Sequence, residues 1–177
     1  MSAYDNQPVE LSESEDARTR ANELLLLAIV ASVVMLFAAF TSAYLIRRTG
    51  ADWQRAPLPV ALWINTIVLV ASSVTMELAR RSGLRRWLVA TLVLGFVFLA
   101  GQFIAWRELA TQGIYLPTSP HSSFIYMLTA VHGVHLFGGV AALIYATSRG
   151  RRLGLCATYW HFVDGVWLYV LGMLAIL

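Results

Sequence analysis

Long apolar segments separated by short polar ones dominate the chain. Five of them carry few or no charges and come close to or exceed the roughly 20 helical residues that cross a hydrocarbon layer of about 30 Å. Backbone groups in lipid are satisfied within a continuous helix, so each segment is predicted to be a transmembrane helix. The segments are Leu24–Ile46, Leu58–Met76, Trp87–Trp106, Phe124–Thr147 and Leu155–Leu177. We therefore predict an all-α integral membrane bundle of five helices over residues 24–177, preceded by a polar, acidic tail over residues 1–23.

The composition supports a membrane protein. Hydrophobic residues make up 58% of the chain and charged residues 13%, whereas soluble domains have about 45–50% and about 25%. The first 23 residues lack the basic start and short apolar core of a secretory signal, so we expect insertion to depend on the first helix. The single cysteine, Cys156, excludes an internal disulfide and a metal cluster made of cysteines alone.

The arginines predict the orientation of the helices. All 13 basic residues are Arg, and they are unequally shared between the two sides of the predicted membrane. The tail, the loop between helices two and three, and the loop between helices four and five carry Arg18, Arg20, Arg80, Arg81, Arg85, Arg86, Arg149, Arg151 and Arg152. The other side carries Arg47, Arg48, Arg55 and Arg107. Because basic loops stay in the cytoplasm, the N-terminus is predicted to be cytoplasmic and the C-terminus outside.

Polar residues within the apolar segments are the candidate functional residues. They are His132 and His135 in helix four, and His161 and Asp164 in helix five, where Trp160 and Trp167 flank them. A charged Asp at the centre of a membrane helix costs about 2.5–3.5 kcal/mol, so Asp164 should face protein and be paired. Residues three apart share a helix face, and the two pairs lie at similar depth on sequential helices. We therefore expect an interhelical contact between His135 and Asp164.

Three interpretations of these polar residues stay open at this point. They are a metal or haem site, a proton relay, and a buried hydrogen-bonded lock between helices four and five. Nothing resembles the Glu-x-x-His pairs of a di-iron bundle, and the lock is favoured. Accordingly no catalytic, cofactor-binding or metal-binding residue is predicted. Glu77, near the cytoplasmic end of helix two, is expected to pair with Arg80 and Arg81 one turn away.

Three motifs resemble one known family. Residues 159–168 are similar to the closing Tyr-Trp-His-Phe-Val-Asp-x-Val-Trp-Leu signature of subunit III of haem–copper oxidases. Residues 129–136 resemble the His-Gly-x-His helix of that family, and residues 65–75 resemble its Asn-Thr-x-x-Leu-x-x-Ser helix. The order and spacing of the motifs agree over nearly the whole chain from residue 24.

The resemblance implies a non-redox subunit of a respiratory terminal oxidase, most simply a cytochrome c oxidase of the bacterial inner membrane. Such a subunit stabilises the catalytic subunit I, binds phospholipid and supports proton uptake while oxygen is reduced. Haem and copper belong to subunits I and II, and this chain holds no cofactor. The six residues His132, His135, Trp160, His161, Asp164 and Trp167 are then expected to lock helices and to pack against lipid or other subunits.

Other functions remain as alternatives. The same family includes subunit III of quinol oxidases and accessory proteins of nitric oxide reductases, and a place in a larger respiratory supercomplex is left open. From different classes, the chain could be a haem-bearing membrane oxidoreductase in its own right or a small ion transporter. The absence of paired carboxylates and of broken helices disfavours the transporter.

One position departs from the family. The resemblance implies a short five-helix form of a subunit that in longer members has seven helices. Many members carry a buried Glu in the first of these five helices, within Ser-Glu-x-x-x-Phe. Val33 lies at the matching position here, so any role of that carboxylate cannot be transferred to this chain.

Overall fold

The computed structural model describes residues 7–148 and 153–177, with side chains from residue 17 onward. Every regular element in these ranges is an α-helix. The helices are α1 (Gln7–Arg47), α2 (Val60–Ser82), α3 (Arg85–Thr111), α4 (Pro120–Ser148) and α5 (Gly154–Ile176). All five are long and apolar enough to cross a membrane, which confirms the predicted all-helical, five-span class.

Helices α1 to α4 are longer than the apolar segments that predict them, and α5 has the same length as its segment, 23 residues. Helix α1 begins at Gln7, inside the predicted tail, and its membrane-crossing candidate is residues 17–47. The division of the chain at residue 23 stays a prediction. Three arginines of the orientation argument, Arg149, Arg151 and Arg152, lie outside the described residues.

Proline and glycine mark the helix ends. Pro59 immediately precedes α2, and Pro120 is the first residue of α4, where a missing backbone N–H costs nothing. Helix α2 ends at Gly83, whose φ of 66° is left-handed and allows its N–H to bond the carbonyl of Ala79 at 2.9 Å. Only glycine adopts that conformation without a steric cost, so Gly83 turns the chain into α3.

The chain forms two compact units, residues 1–38 and residues 39–177. In the first, the described residues are the N-terminal part of α1. In the second, α2 packs against α3, α3 against α4, α4 against α5, and α5 back against α2, which closes a four-helix ring. The last turns of α1 also belong to this unit: Thr41 Oγ1 and the Tyr169 hydroxyl of α5 are 2.8 Å apart.

Side chains from all four helices fill the centre of the ring. The buried core includes Leu69 and Met76 of α2, Phe98 and Ala105 of α3, Leu136 and Leu143 of α4, and Trp160, Val163 and Trp167 of α5. Each of the four helix interfaces also contains a side-chain hydrogen bond. Asn65 of α2 donates to the Phe98 carbonyl of α3, and Trp106 of α3 donates to Thr129 of α4. Tyr159 of α5 donates to the His135 carbonyl of α4. The fourth interface, between α2 and α5, carries the candidate site.

Candidate functional site

Two buried tryptophans of α5 hydrogen-bond to hydroxyl groups of α2. Trp160 Nε1 donates to Ser72 Oγ at 3.1 Å, and Trp167 Nε1 donates to Thr66 Oγ1 at 2.9 Å. The tryptophans are seven residues apart, which is close to two helical turns, so both lie on the same face. Both are fully buried. An indole N–H has to find an acceptor when it is buried, and α2 supplies one at each level.

His161 extends this contact toward the end of α2. Its Nδ1 lies 2.5 Å from Ser73 Oγ, and its Nε2 lies 3.8 Å from a carboxylate oxygen of Glu77. We call the set Thr66, Ser72 and Ser73 of α2 with Trp160, His161 and Trp167 of α5 the α2–α5 seam. Its contacts progress in opposite directions along the two helices, as antiparallel packing requires.

Glu77 carries the ion pairs that the sequence predicts. Its carboxylate accepts from Arg80 Nε and Nη2, both at 2.8 Å, and from Arg81 Nε at 2.6 Å. The prediction of an ion pair one turn away is confirmed. The carboxylate is therefore occupied by two guanidinium groups, and His161 lies on its remaining side.

Asp164 differs from the expectation. Its side chain is buried, and neither carboxylate oxygen makes a hydrogen bond with the described residues. The Ser73 hydroxyl lies close enough to interact with the carboxylate. The Asp164 carboxylate makes no hydrogen bond to His135, whose Nδ1 lies 2.7 Å from the Val131 carbonyl of its own helix.

His132 lies at the centre of the ring. It has no exposed surface, and its imidazole packs between the rings of Phe98 and Trp167, with centroid separations of 5.6 and 4.8 Å. Neither ring nitrogen has a hydrogen-bond partner among the described residues. Among the described residues, the contacts of His132 are thus those of aromatic packing.

The contact between α2 and α5 was not predicted from the sequence, which placed the lock between helices four and five. The hydrogen bonds of Trp160, His161 and Trp167 run to α2, and α5 reaches α4 through the Tyr159 hydroxyl, which donates to the His135 carbonyl at 3.1 Å. Sequence reasoning chose helix four because it carries histidines at a similar depth. The hydroxyls of Thr66, Ser72 and Ser73 were the missed signal: Ser72 and Ser73 follow Thr66 by six and seven residues, close to two helical turns.

The hydrogen bonds of these residues hold helices together. In residues 17–148 and 153–177, no group of three or more His, Cys, Asp or Glu side chains is placed to hold a metal ion. The histidines are instead distributed: His132 packs against rings, His135 bonds its own helix, and His161 contacts Ser73 and Glu77. Among the polar groups of the seam, indoles and hydroxyls are the principal donors and acceptors.

A separate cavity of about 630 Å³ lies at the opposite end of the helices, where α1 ends and α4 begins. Its walls include Arg47, Asp52, Pro117 and Phe124. Nη1 and Nη2 of Arg47 donate to Oδ1 and Oδ2 of Asp52, respectively. This hydrogen-bonded pair lowers the pKa of the Asp52 carboxyl below its usual value. The two charges neutralise each other, so the cavity carries no unpaired charge from this pair.

Comparison with known proteins gives the family. A sequence profile of cytochrome c oxidase subunit III matches residues 21–176, which include α2 to α5 and most of α1. A Mycobacterium tuberculosis protein named probable cytochrome c oxidase subunit 3 is 35% identical over 161 residues, covering 78% of this chain and 79% of its own length. Cytochrome c oxidase subunit 3 of Thermostichus vulcanus is 30% identical over 174 residues, covering 86% and 85%.

The profile match includes all three motifs, and together with the relatives it confirms the resemblance drawn from the sequence. The membrane helices and the family agree in making the protein a multi-pass membrane protein. The chain belongs to the cytochrome c oxidase subunit III family.

Proposed function

We propose that this chain is subunit III of a bacterial respiratory cytochrome c oxidase, located in the inner membrane, and that it acts without a redox centre of its own. The observation that carries the proposal is the match of residues 21–176 to the subunit III profile. The names of the relatives favour cytochrome c over quinol as the electron donor of the complex.

Its role within the complex is structural support. His132, His135, Trp160, His161, Asp164 and Trp167 are assigned to interhelical locking and to packing against lipid or other subunits. The α2–α5 seam supports this assignment, because Trp160, His161 and Trp167 each contact a hydroxyl of α2. Asp164 would contribute through the Ser73 hydroxyl, His132 through ring packing, and His135 through the carbonyl that accepts from Tyr159.

The proposed partners are oxidase subunits I and II, which would carry haem and copper, and phospholipid. Large apolar side chains on the outside of the helix ring support such partners. Val134 and Phe137 of α4 are 70% and 60% exposed in the chain by itself. In a membrane these side chains contact acyl chains or the helices of another subunit. By holding the catalytic subunit, the chain would support proton uptake during oxygen reduction.

Purification of the tagged chain in a mild detergent tests the proposal. We expect haem- and copper-bearing subunits to co-purify with it, and the preparation to oxidise reduced cytochrome c with oxygen. A subunit II without a copper site, together with quinol oxidation, would reassign the electron donor. Recovery of the chain without oxidase subunits would contradict membership of the complex.

A control separates this function from that of a haem protein. The purified complex is dissociated, and the isolated chain is examined by absorption spectroscopy. We expect no Soret band in the isolated chain, because haem would remain with the other subunits. A Soret band that stays with the chain after dissociation would overturn the proposal in favour of a haem-bearing oxidoreductase.

A further inference from the structure

Among the described residues, the helix ring contains two buried amide or imidazole side chains that make no hydrogen bond. Gln102 of α3 is 3% exposed and His132 of α4 is 0% exposed. Neither polar atom of the Gln102 amide and neither ring nitrogen of His132 bonds to the described residues. A buried polar group without a partner is costly, and nearly all such groups in proteins bond to protein or to ordered water.

The contacts between α3 and α4 put these two residues at adjacent levels. Phe98 contacts the His132 ring, and Trp106 Nε1 donates to Thr129 Oγ1 at 3.0 Å. Gln102 lies four residues from each of Phe98 and Trp106, so all three share one face of α3. That face contacts α4 at His132 and, one turn away, at Thr129. Gln102 therefore lies in the same interface, between these two contacts.

The position next to His132 on α4 is loosely packed against α3. Gly133 follows His132 and has no side chain, and a methyl group built on it would find its nearest neighbour, Leu99 Cδ2 of α3, at 4.0 Å. By contrast, a methyl group on Gly95 of α3 would meet Trp160 at 3.1 Å. Because His132 has no exposed surface, a side chain of another subunit cannot reach it.

We propose that an ordered water molecule is bound inside the ring, between the Gln102 amide and the His132 imidazole. A neutral imidazole offers one donor and one acceptor, and an amide offers both kinds, so a water can bridge the two in either orientation. Internal waters are typically held by about three hydrogen bonds to groups that are otherwise unsatisfied. The water would link α3 to α4 at the level where Trp167 and Phe98 pack on His132.

The direct test is a structure of the purified complex at a resolution that shows bound water. We expect density within hydrogen-bond distance of both a Gln102 amide atom and a His132 ring nitrogen. A direct hydrogen bond between the two side chains, or an empty interface at that resolution, would overturn the proposal.

A double-mutant cycle tests the same link energetically. Gln102→Met and His132→Phe each remove one of the two polar side chains. The remaining polar side chain then has an incomplete set of hydrogen bonds, which costs free energy. Each should lower the midpoint temperature for loss of the chain from the complex by about 2–4 °C. The double variant should lower it by less than the sum, because no unsatisfied group remains. A packing cost that is independent at the two sites is present in both single and double variants, so it cancels in this comparison. Strictly additive shifts would contradict the water bridge.

Discussion

Gly101 sets how closely α2 approaches α3. The Asn65 amide donates to the carbonyl of Phe98 at 3.0 Å, which brings its side chain against the α3 backbone. A methyl group at Gly101 would lie 2.0 Å from Asn65 Oδ1 and 2.7 Å from Asn65 Cγ. Both residues are in the helix ring, and Asn65 is 3% exposed. Its short, buried side chain has little freedom to move away.

Gly101→Ala should therefore destabilise the chain. The added methyl group forces Asn65 to shift, so that the hydrogen bond to Phe98 is lost and the two helices separate locally. Overpacking of this kind costs about 1–3 kcal/mol. The measurement is the midpoint of denaturant unfolding of the chain in the purified complex.

Gly172→Ala in α5 is the matched control for this glycine. Nothing lies within 4 Å of a methyl group built there, and alanine favours the helix more than glycine does. We expect its unfolding midpoint to equal or exceed that of the unaltered protein. Equal midpoints for Gly101→Ala and Gly172→Ala would show that Asn65 does not require the glycine.

At the scale of elements, the α2–α5 seam is stabilised by shared hydroxyls. Thr66 Oγ1 donates to the Leu62 carbonyl of its own helix and at the same time accepts from Trp167 Nε1. The hydroxyl is thus satisfied within α2, and the indole N–H depends on it across the interface. Hydrogen bonds between membrane helices contribute about 0.6 kcal/mol on average and up to about 1.7 kcal/mol.

Thr66→Val should weaken this interface while preserving the shape of the side chain. The valine methyl group cannot accept from Trp167, which leaves its indole N–H buried without a partner. We expect a loss of about 1–2 kcal/mol in the free energy of unfolding, measured by denaturant titration of the purified complex.

Thr147→Val controls for the loss of a bond within one helix. Thr147 Oγ1 donates to the Leu143 carbonyl at 2.7 Å, just as Thr66 donates to Leu62. We expect this substitution to change the free energy of unfolding much less than Thr66→Val. If both substitutions cost the same, the interhelical bond of Trp167 contributes nothing, and the seam is not a lock.

The helices were predictable from sequence, but their neighbours in space were not. Apolar length alone predicts a membrane helix, because lipid requires every backbone group to be bonded internally. Asp164 and His161 stand out in the sequence because polar side chains are costly within a membrane helix. Which helix faces them depends on the closure of the ring from α5 back to α2. That closure joins residues far apart in the sequence, so the spacing of residues within α4 or α5 does not predict it.

At the scale of the whole molecule, the distribution of charged residues predicts the orientation of the helices in the membrane. The Glu77 carboxylate neutralises part of the charge of Arg80 and Arg81, and both guanidinium groups remain at the end of α2. Arg85 and Arg86 begin α3 directly after the Gly83 turn. This turn therefore concentrates four arginines within a few residues, and the positive-inside rule predicts that it faces the cytoplasm.

Cysteine labelling tests that orientation, because Cys156 is the only native cysteine. On a Cys156→Ala background, Ser82→Cys marks the turn after α2 and Gln112→Cys marks the far end of α3; both positions are exposed. A membrane-impermeant maleimide added to intact spheroplasts should label Gln112→Cys and spare Ser82→Cys. After detergent solubilisation both variants should react, and the cysteine-free background should react in neither condition. Labelling of Ser82→Cys alone in intact spheroplasts would show that the topology is the reverse of the predicted one. The arginine-rich turn would then lie outside the cytoplasm. In that case the distribution of arginines would not determine the orientation of this chain in the membrane.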